Sequence, residues 1–116
     1  MSLLSDLKST ISSLNIPVET GAFTSSAPDL YIVLVPIDDE FALHADNRPG
    51  VDVQSVRISL YAKGNYTKPK NRVINALIGA GITITYRQYL GFEQDTKYHH
   101  YNIDVENVYE YEMEEL

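Results

Sequence analysis

The run from Pro28 to Tyr66, PDLYIVLVPIDDEFALHADNRPGVDVQSVRISLYAKGNY, sets two strongly apolar segments on either side of an acidic, turn-rich loop. It predicts two neighbouring strands joined by an exposed tip. Leu30, Tyr31, Ile32, Val33, Leu34 and Val35 form a continuous apolar run, as expected for a strand covered on both faces, and Pro36, which lacks a backbone donor, is expected to end it. The second segment alternates instead. Val56, Ile58 and Leu60 share one side and Arg57, Ser59 and Tyr61 the other, the pattern of a strand with one dry face.

Between the segments lie Asp38, Asp39, Glu40, Asp46, Asn47, Arg48, Pro49 and Gly50, which resist burial and favour turns. They predict an extended hairpin or flap, with residues 40 to 45 as a short strand leading into the Asn47–Gly50 turn and residues 51 to 62 returning. The apolar phase slips between Val51 and Val53 on one side and Val56, Ile58 and Leu60 on the other, which places a bulge or bend near Gln54 and Ser55.

A chain of 116 residues is expected to form one domain, residues 1 to 116, with roughly two-thirds of its unfolded surface buried and no need of covalent staples. It has no cysteine, which excludes thiol catalysis, disulfides and zinc sites with sulfur ligands. Ser5, Asp6 and Lys8 interrupt the apolar residues at the N-terminus, so a soluble, cytoplasmically made protein with no membrane partner is expected. The formal charge is −7, and Asp104, Glu106, Glu110, Glu112, Glu114 and Glu115 carry most of it with no basic residue among them, which reads as an acidic C-terminal tail over about residues 106 to 116. Conversely, Lys63, Lys68, Lys70 and Arg72 are four of the nine basic residues. A basic patch beside an acidic tail suits head-to-tail contact between copies, although solvated faces have the same composition.

Leu3, Leu4, Leu7, Ile11 and Leu14 follow helical spacing over residues 2 to 14, with Ser2 as cap and Asn15-Ile16-Pro17 as stop. A short strand over residues 18 to 23 precedes the loop Ser25-Ser26-Ala27-Pro28. Thr67 is expected to cap a second helix with Pro69 in its first turn, Val73, Ile74, Leu77 and Ile78 as its apolar stripe, and Gly79-Ala80-Gly81 as a left-handed stop. Ile82, Ile84 and Tyr86 then alternate along a strand towards Phe92, a turn over Glu93-Gln94-Asp95-Thr96 follows, and a last strand from Lys97 to Val105 points Tyr101, Ile103 and Val105 inward. The sum is an α+β domain, a largely antiparallel sheet with both helices packed on one face and an extended hairpin or flap loop.

Residues able to carry chemistry are few. Asp38, Asp39 and Glu40, with His44 and Asp46 downstream, have the right types for metal ligation or acid–base work, but their spacing matches no metal motif, and a solvated loop explains them as well. His99 and His100 are adjacent and would face opposite sides of a strand, which opposes chelation. No glycine-flanked serine elbow or phosphate loop is present, so neither enzymatic activity nor a cofactor is expected. Nine tyrosines are unusual for this length; Tyr86 and Tyr89 on one strand and Tyr98 and Tyr101 on its neighbour put rings on both faces of a hairpin, as cross-strand packing or as anchors of a protein interface. Stacking on nucleic acid would require a cationic groove beside them, which the net charge opposes.

The order of these features, the leading helix, PDLYIVLVPIDDEFALHADNRP, VRISLYAKGNYTKPKNRVINALIGAGIT and the closing YLGFEQDTKYHHYNIDVE, resembles the small tail-completion or tail-terminator proteins of long-tailed bacteriophages and prophages over nearly the whole chain. The resemblance implies a structural virion protein made in the bacterial cytoplasm and placed at the head–tail interface. Copies would form a ring, expected as a hexamer, on the end of the tail tube, stop its growth and dock to the head connector or head-completion protein, with DNA passing through without specific binding. Lys63, Lys68, Lys70 and Arg72 would then meet acidic residues of the next copy, and the 38–50 flap, with Arg48 at its tip, would order against tube or connector. Asp38, Asp39, Glu40 and Asp46 would alternatively line the channel as a wall that repels DNA. A head-completion or head–tail adaptor, a minor tail protein, a non-phage binding module using the tyrosine-rich hairpin, and an enzyme built on the 38–46 acids remain open alternatives.

Overall fold

The computed structural model describes residues 2–22, 27–42 and 50–111. Its elements are α1 (Leu3–Ser12), β1 (Val18–Thr20), β2 (Leu30–Ala42), β3 (Val51–Lys63), α2 (Thr67–Gly79), β4 (Thr83–Phe92) and β5 (Tyr98–Glu110). The strands form one sheet in the order β1-β2-β3-β5-β4, antiparallel throughout except for β1, which runs parallel to β2. Both helices pack on one face of this sheet, the α+β arrangement expected. The expectations of a loop at Ser25 and Ser26, of a flap tip with His44, Asp46 and Arg48, and of an acidic tail over Glu112, Glu114 and Glu115 fall on residues 23 to 26, 43 to 49 and 112 to 116, outside the described residues.

Local signals account for the helices. Ser2 Oγ accepts a hydrogen bond from the Ser5 amide at 3.2 Å and starts α1, and Asn15, at φ 62°, turns the chain out after it. Leu3, Leu7 and Ile11 recur once per turn and are fully buried. In α2 the cap differs from expectation: Thr67 is already helical, Tyr66 precedes it without a side-chain cap bond, and Asn65 Oδ1 takes the Thr67 amide at 3.0 Å. The expected left-handed stop falls on Gly81, at φ 75°, where the Gly81 amide donates to the Ile78 carbonyl and the Ile82 amide to that of Leu77. Val73 and Leu77 are buried, but Ile78, expected in the same stripe, is 64% exposed because it looks past the sheet into an open groove shared with Ile74, Ile82 and Arg87.

Ile32 and Leu34 of β2, Val56, Ile58 and Leu60 of β3, and Tyr101, Ile103 and Val105 of β5 meet the helices as one core. Each such side chain contributes about 1.5–3 kcal/mol through burial. Among the described residues the other face of the sheet carries no second layer. Leu30–Val35 is therefore not covered on both faces as expected: Val33 is shielded by its neighbours on the open face, whereas Val35 is 39% exposed.

Four strand details differ from the sequence reading. Pro36 does not end β2. The Ile32 amide and the Leu34 carbonyl both point towards β1, so the nitrogen of Pro36, two residues on, points to the same side, where β1 has already stopped at Thr20 and no donor is missed. The bulge sits on β2 rather than at Gln54–Ser55: Pro36 pairs with Val56 and Asp38 with Ser55, leaving Ile37 as the extra residue, while β3 keeps an unbroken register with β5. On β4, shifts at Thr85 and Leu90 rotate Tyr86 onto the open face beside Asp104, away from Ile84, with which it was expected to align. The last strand also runs beyond Val105 to Glu110, so Glu106 and Glu110 belong to the sheet and not to a tail.

Candidate functional site

β2 and β3 are each 13 residues long and span about 40 Å at a rise of about 3.3 Å per residue. The molecule is accordingly elongated, 54 × 27 × 24 Å. Because the two strands are antiparallel, Ala42 and Val51 lie at one end and Leu30 and Lys63 at the other. Of the expected site residues, Asp38, Asp39 and Glu40 lie towards one end and Lys63, Lys68 and Arg72 towards the other, while Asp46 and Arg48 are outside the described residues.

At the first end the outer parts of β2, β3 and β5 form an acidic arm. Asp38, Asp39 and Glu40 are exposed on β2, and strand pairing brings Glu106 and Glu110 of β5 onto the same three-stranded ribbon. Asp38, Glu40, Glu106 and Glu110 share the open face by register, whereas Asp39 and Asp52 share the helix side. Ile37, Phe41 and Val108 are 48%, 52% and 54% exposed among these acids, with Phe41 edge-on to Tyr111 at 4.8 Å. Two hydrogen bonds fix the base of the arm to α1: the Leu3 amide donates to Gln54 Oε1 at 2.8 Å and the Tyr109 hydroxyl to Asp6 Oδ2 at 2.6 Å. Burial, and next the bond to Asp6, push the Tyr109 hydroxyl well above the ordinary phenol range.

At the second end a groove of about 220 Å³ opens between the β2–β3 ends and the start of α2, lined by Leu30, Ala62 and Pro69 and rimmed by Lys63, Lys68 and Arg72. Lys68 and Arg72 stand four residues apart on the helix and so project from one side of it. Lys70 is turned away and lies over the rings of Tyr66 and Tyr101, at 5.9 and 5.2 Å from their centroids. Thus the structure divides the expected basic patch: Lys63, Lys68 and Arg72 rim the groove, and Lys70 belongs to an aromatic cluster. Lys63 pairs loosely with exposed Asp29 at 3.7 Å and Arg72 donates to the Leu14 carbonyl at 2.9 Å, whereas Lys68 makes no ion pair among the described residues.

The tyrosines occupy both faces of the sheet, as the alternation implied. On the helix side Tyr66 stacks on Tyr89, His99 lies tilted against Tyr66 and Phe92, and the Tyr89 hydroxyl lies 2.8 Å from His99 Nδ1. On the open face the paired residues Tyr31, Tyr61 and His100 form a stacked row, with ring separations of 4.8 and 4.2 Å, and Tyr98 sits edge-on to Tyr31. His99 and His100 therefore point to opposite sides. Nε2 of His100 is buried with no hydrogen-bond partner, and burial holds the imidazole pKa below its ordinary value, against smaller opposing effects of Asn102 and Glu93. Burial likewise raises Tyr31 and Tyr61. Further along the face, Ser59 donates to Asn102 at 3.0 Å, and Arg57 grips Asp104 through Nε and Nη2 at 2.8 and 3.0 Å.

Sequence reasoning missed Asp29 in the groove, Glu106 and Glu110 on the arm, and the Arg57–Asp104 pair. All depend on cross-strand register, and only the alternation of Arg57 with Val56 and Ile58 hinted that it faces away from the core. Among the described residues no three His, Asp or Glu side chains converge as metal ligands, and no helix is long and apolar enough to cross a membrane. Compared with known proteins, the chain matches no family model and no curated sequence.

Proposed function

We propose that this chain is a phage or prophage structural protein, a ring-forming tail terminator that caps the tail tube and joins it to the head connector. The observation that carries this reading is the placement of two unlike surfaces, an acidic arm and a basic-rimmed groove, at opposite ends of an elongated one-layer sheet. A closed ring of identical copies needs unlike patches that meet head to tail, since a patch that pairs with itself yields only a dimer. The helix-free sheet face, with Val35, Tyr86 and Val108 exposed, adds area for contact with tube or connector. The ring is proposed as a hexamer in the virion, not an enzyme, with DNA passing through it without specific binding.

Light scattering of the purified protein across concentration, alone and after mixing with assembled tail tubes, tests the reading. A ring, or binding to tube ends that halts further growth, is the expected result; a monomer that ignores tubes overturns it. A head–tail adaptor would use the same assembly physics, and binding to the head connector without capping tubes would select that reading.

A further inference from the structure

We propose that the acidic arm of one copy docks into the basic-rimmed groove of the next, a contact that rests on the ring reading and specifies its interface. Asp38, Asp39 and Glu40 are exposed on the arm and make no ion pair among the described residues. Across the molecule, Lys68 likewise makes no ion pair among the described residues, and Lys63 has one ion-pair contact there, 3.7 Å to an Asp29 side chain that is 84% exposed, with its ammonium 4.9 Å from the centroid of the Tyr98 ring. The apolar parts match as well. Ile37 and Phe41 project among the acids, and the groove floor of Leu30, Ala62 and Pro69 leaves about 220 Å³, room for one large side chain. An apolar anchor flanked by carboxylates thus faces an apolar pocket whose rim carries three cations, Lys63, Lys68 and Arg72, against the one carboxylate of Asp29, the pattern of a buried centre with a charged rim.

Edge-to-edge strand pairing is disfavoured as the contact. The free edge of β2 carries Pro36, the Ile37 bulge and three acids, and the free edge of β4 carries bulges at Thr85 and Leu90, which are the devices that block strand addition. Arm and groove also lie at opposite ends of the same two strands, so one copy cannot satisfy both from within. The partner is therefore a second copy.

Charge exchange tests this. One variant carries D38K, D39K and E40K; the other carries K63E and K68E, with Arg72 kept because it ties α2 to the end of α1. Each variant, checked for wild-type melting, is expected to lose roughly tenfold or more in self-association, since like charges then meet at every contact. An equimolar mixture is expected to recover assembly with the two variants alternating, because each reversed arm meets a reversed groove, and wild-type assembly is expected to weaken as salt rises. Wild-type-like assembly by either variant alone, or a mixture no better than its components, overturns the arm-in-groove contact while leaving the ring intact. A wild-type protein that neither self-associates nor binds tube ends overturns both.

Discussion

Replacing Tyr109 by Phe tests how the arm is held to the body. The Tyr109 hydroxyl donates to Asp6 at 2.6 Å, and with the Leu3–Gln54 bond it joins the first turn of α1 to the arm. A hydrogen bond to a charged group contributes about 1.5–3 kcal/mol, and a half-buried pair belongs at the low end, near 1.5 kcal/mol. At about 2.1 cal/mol/K of unfolding entropy per residue, 116 residues give about 0.24 kcal/mol/K, so Tyr109→Phe is expected to lower Tm by about 6 °C. A thermal and urea double-mutant cycle with Asp6→Ala separates the pair from the helix-dipole effect of Asp6, and coupling of about 1–2 kcal/mol is expected. The alkaline limb gives a second readout. Because the folded-state pKa of Tyr109 is raised, its contribution is complete below about pH 10 and is lost as pH rises through the folded value. The variant should therefore lose stability less steeply above pH 10, with a residual slope from Tyr31 and Tyr61. Coupling below about 0.3 kcal/mol, with an unchanged alkaline slope, would refute the reasoning.

Three further outcomes follow from the same geometry. His100 is held neutral by burial, so its contribution is present above about pH 6.5 and is lost as pH falls through the lowered folded value; replacing it with Phe should flatten the acid side of a stability–pH curve by up to about 1.4 kcal/mol per unit. Gly81→Ala should cost about 1–2 kcal/mol by urea denaturation, all of it conformational, since a Cβ there meets nothing within 4 Å while φ is +75°; a neutral result would remove the left-handed requirement. Neutralising Asp38, Asp39 and Glu40 to Asn, Asn and Gln separates the two uses of these acids: an interface role weakens the ring itself, whereas a channel-wall role leaves the ring assembled and slows DNA release.

Features that repeat with the period of their own element were legible in the sequence. The once-per-turn Leu3, Leu7 and Ile11, the dry sides of β3 and β5, and the glycine stop of α2 each rest on residues close together in the chain. Features set by a neighbour were not. Whether Pro36 ends a strand depends on how far β1 extends beside it, and the phase slip in the hairpin was visible without revealing which strand carries the extra residue. The bulges at Thr85 and Leu90 add residues without changing composition, and the one at Thr85 is why alternation from Ile84 puts Tyr86 on the wrong face. The candidate site sits between these cases. Its acids near the loop and its cations after the second strand were visible, and antiparallel pairing necessarily sends a loop and the flanks of its strands to opposite ends. How far apart those ends lie was hidden, because Pro36 appeared to cut β2 short. With both strands running 13 residues, the charge pattern becomes a separation of about 40 Å, too far to close within one copy and suited to joining one copy to the next.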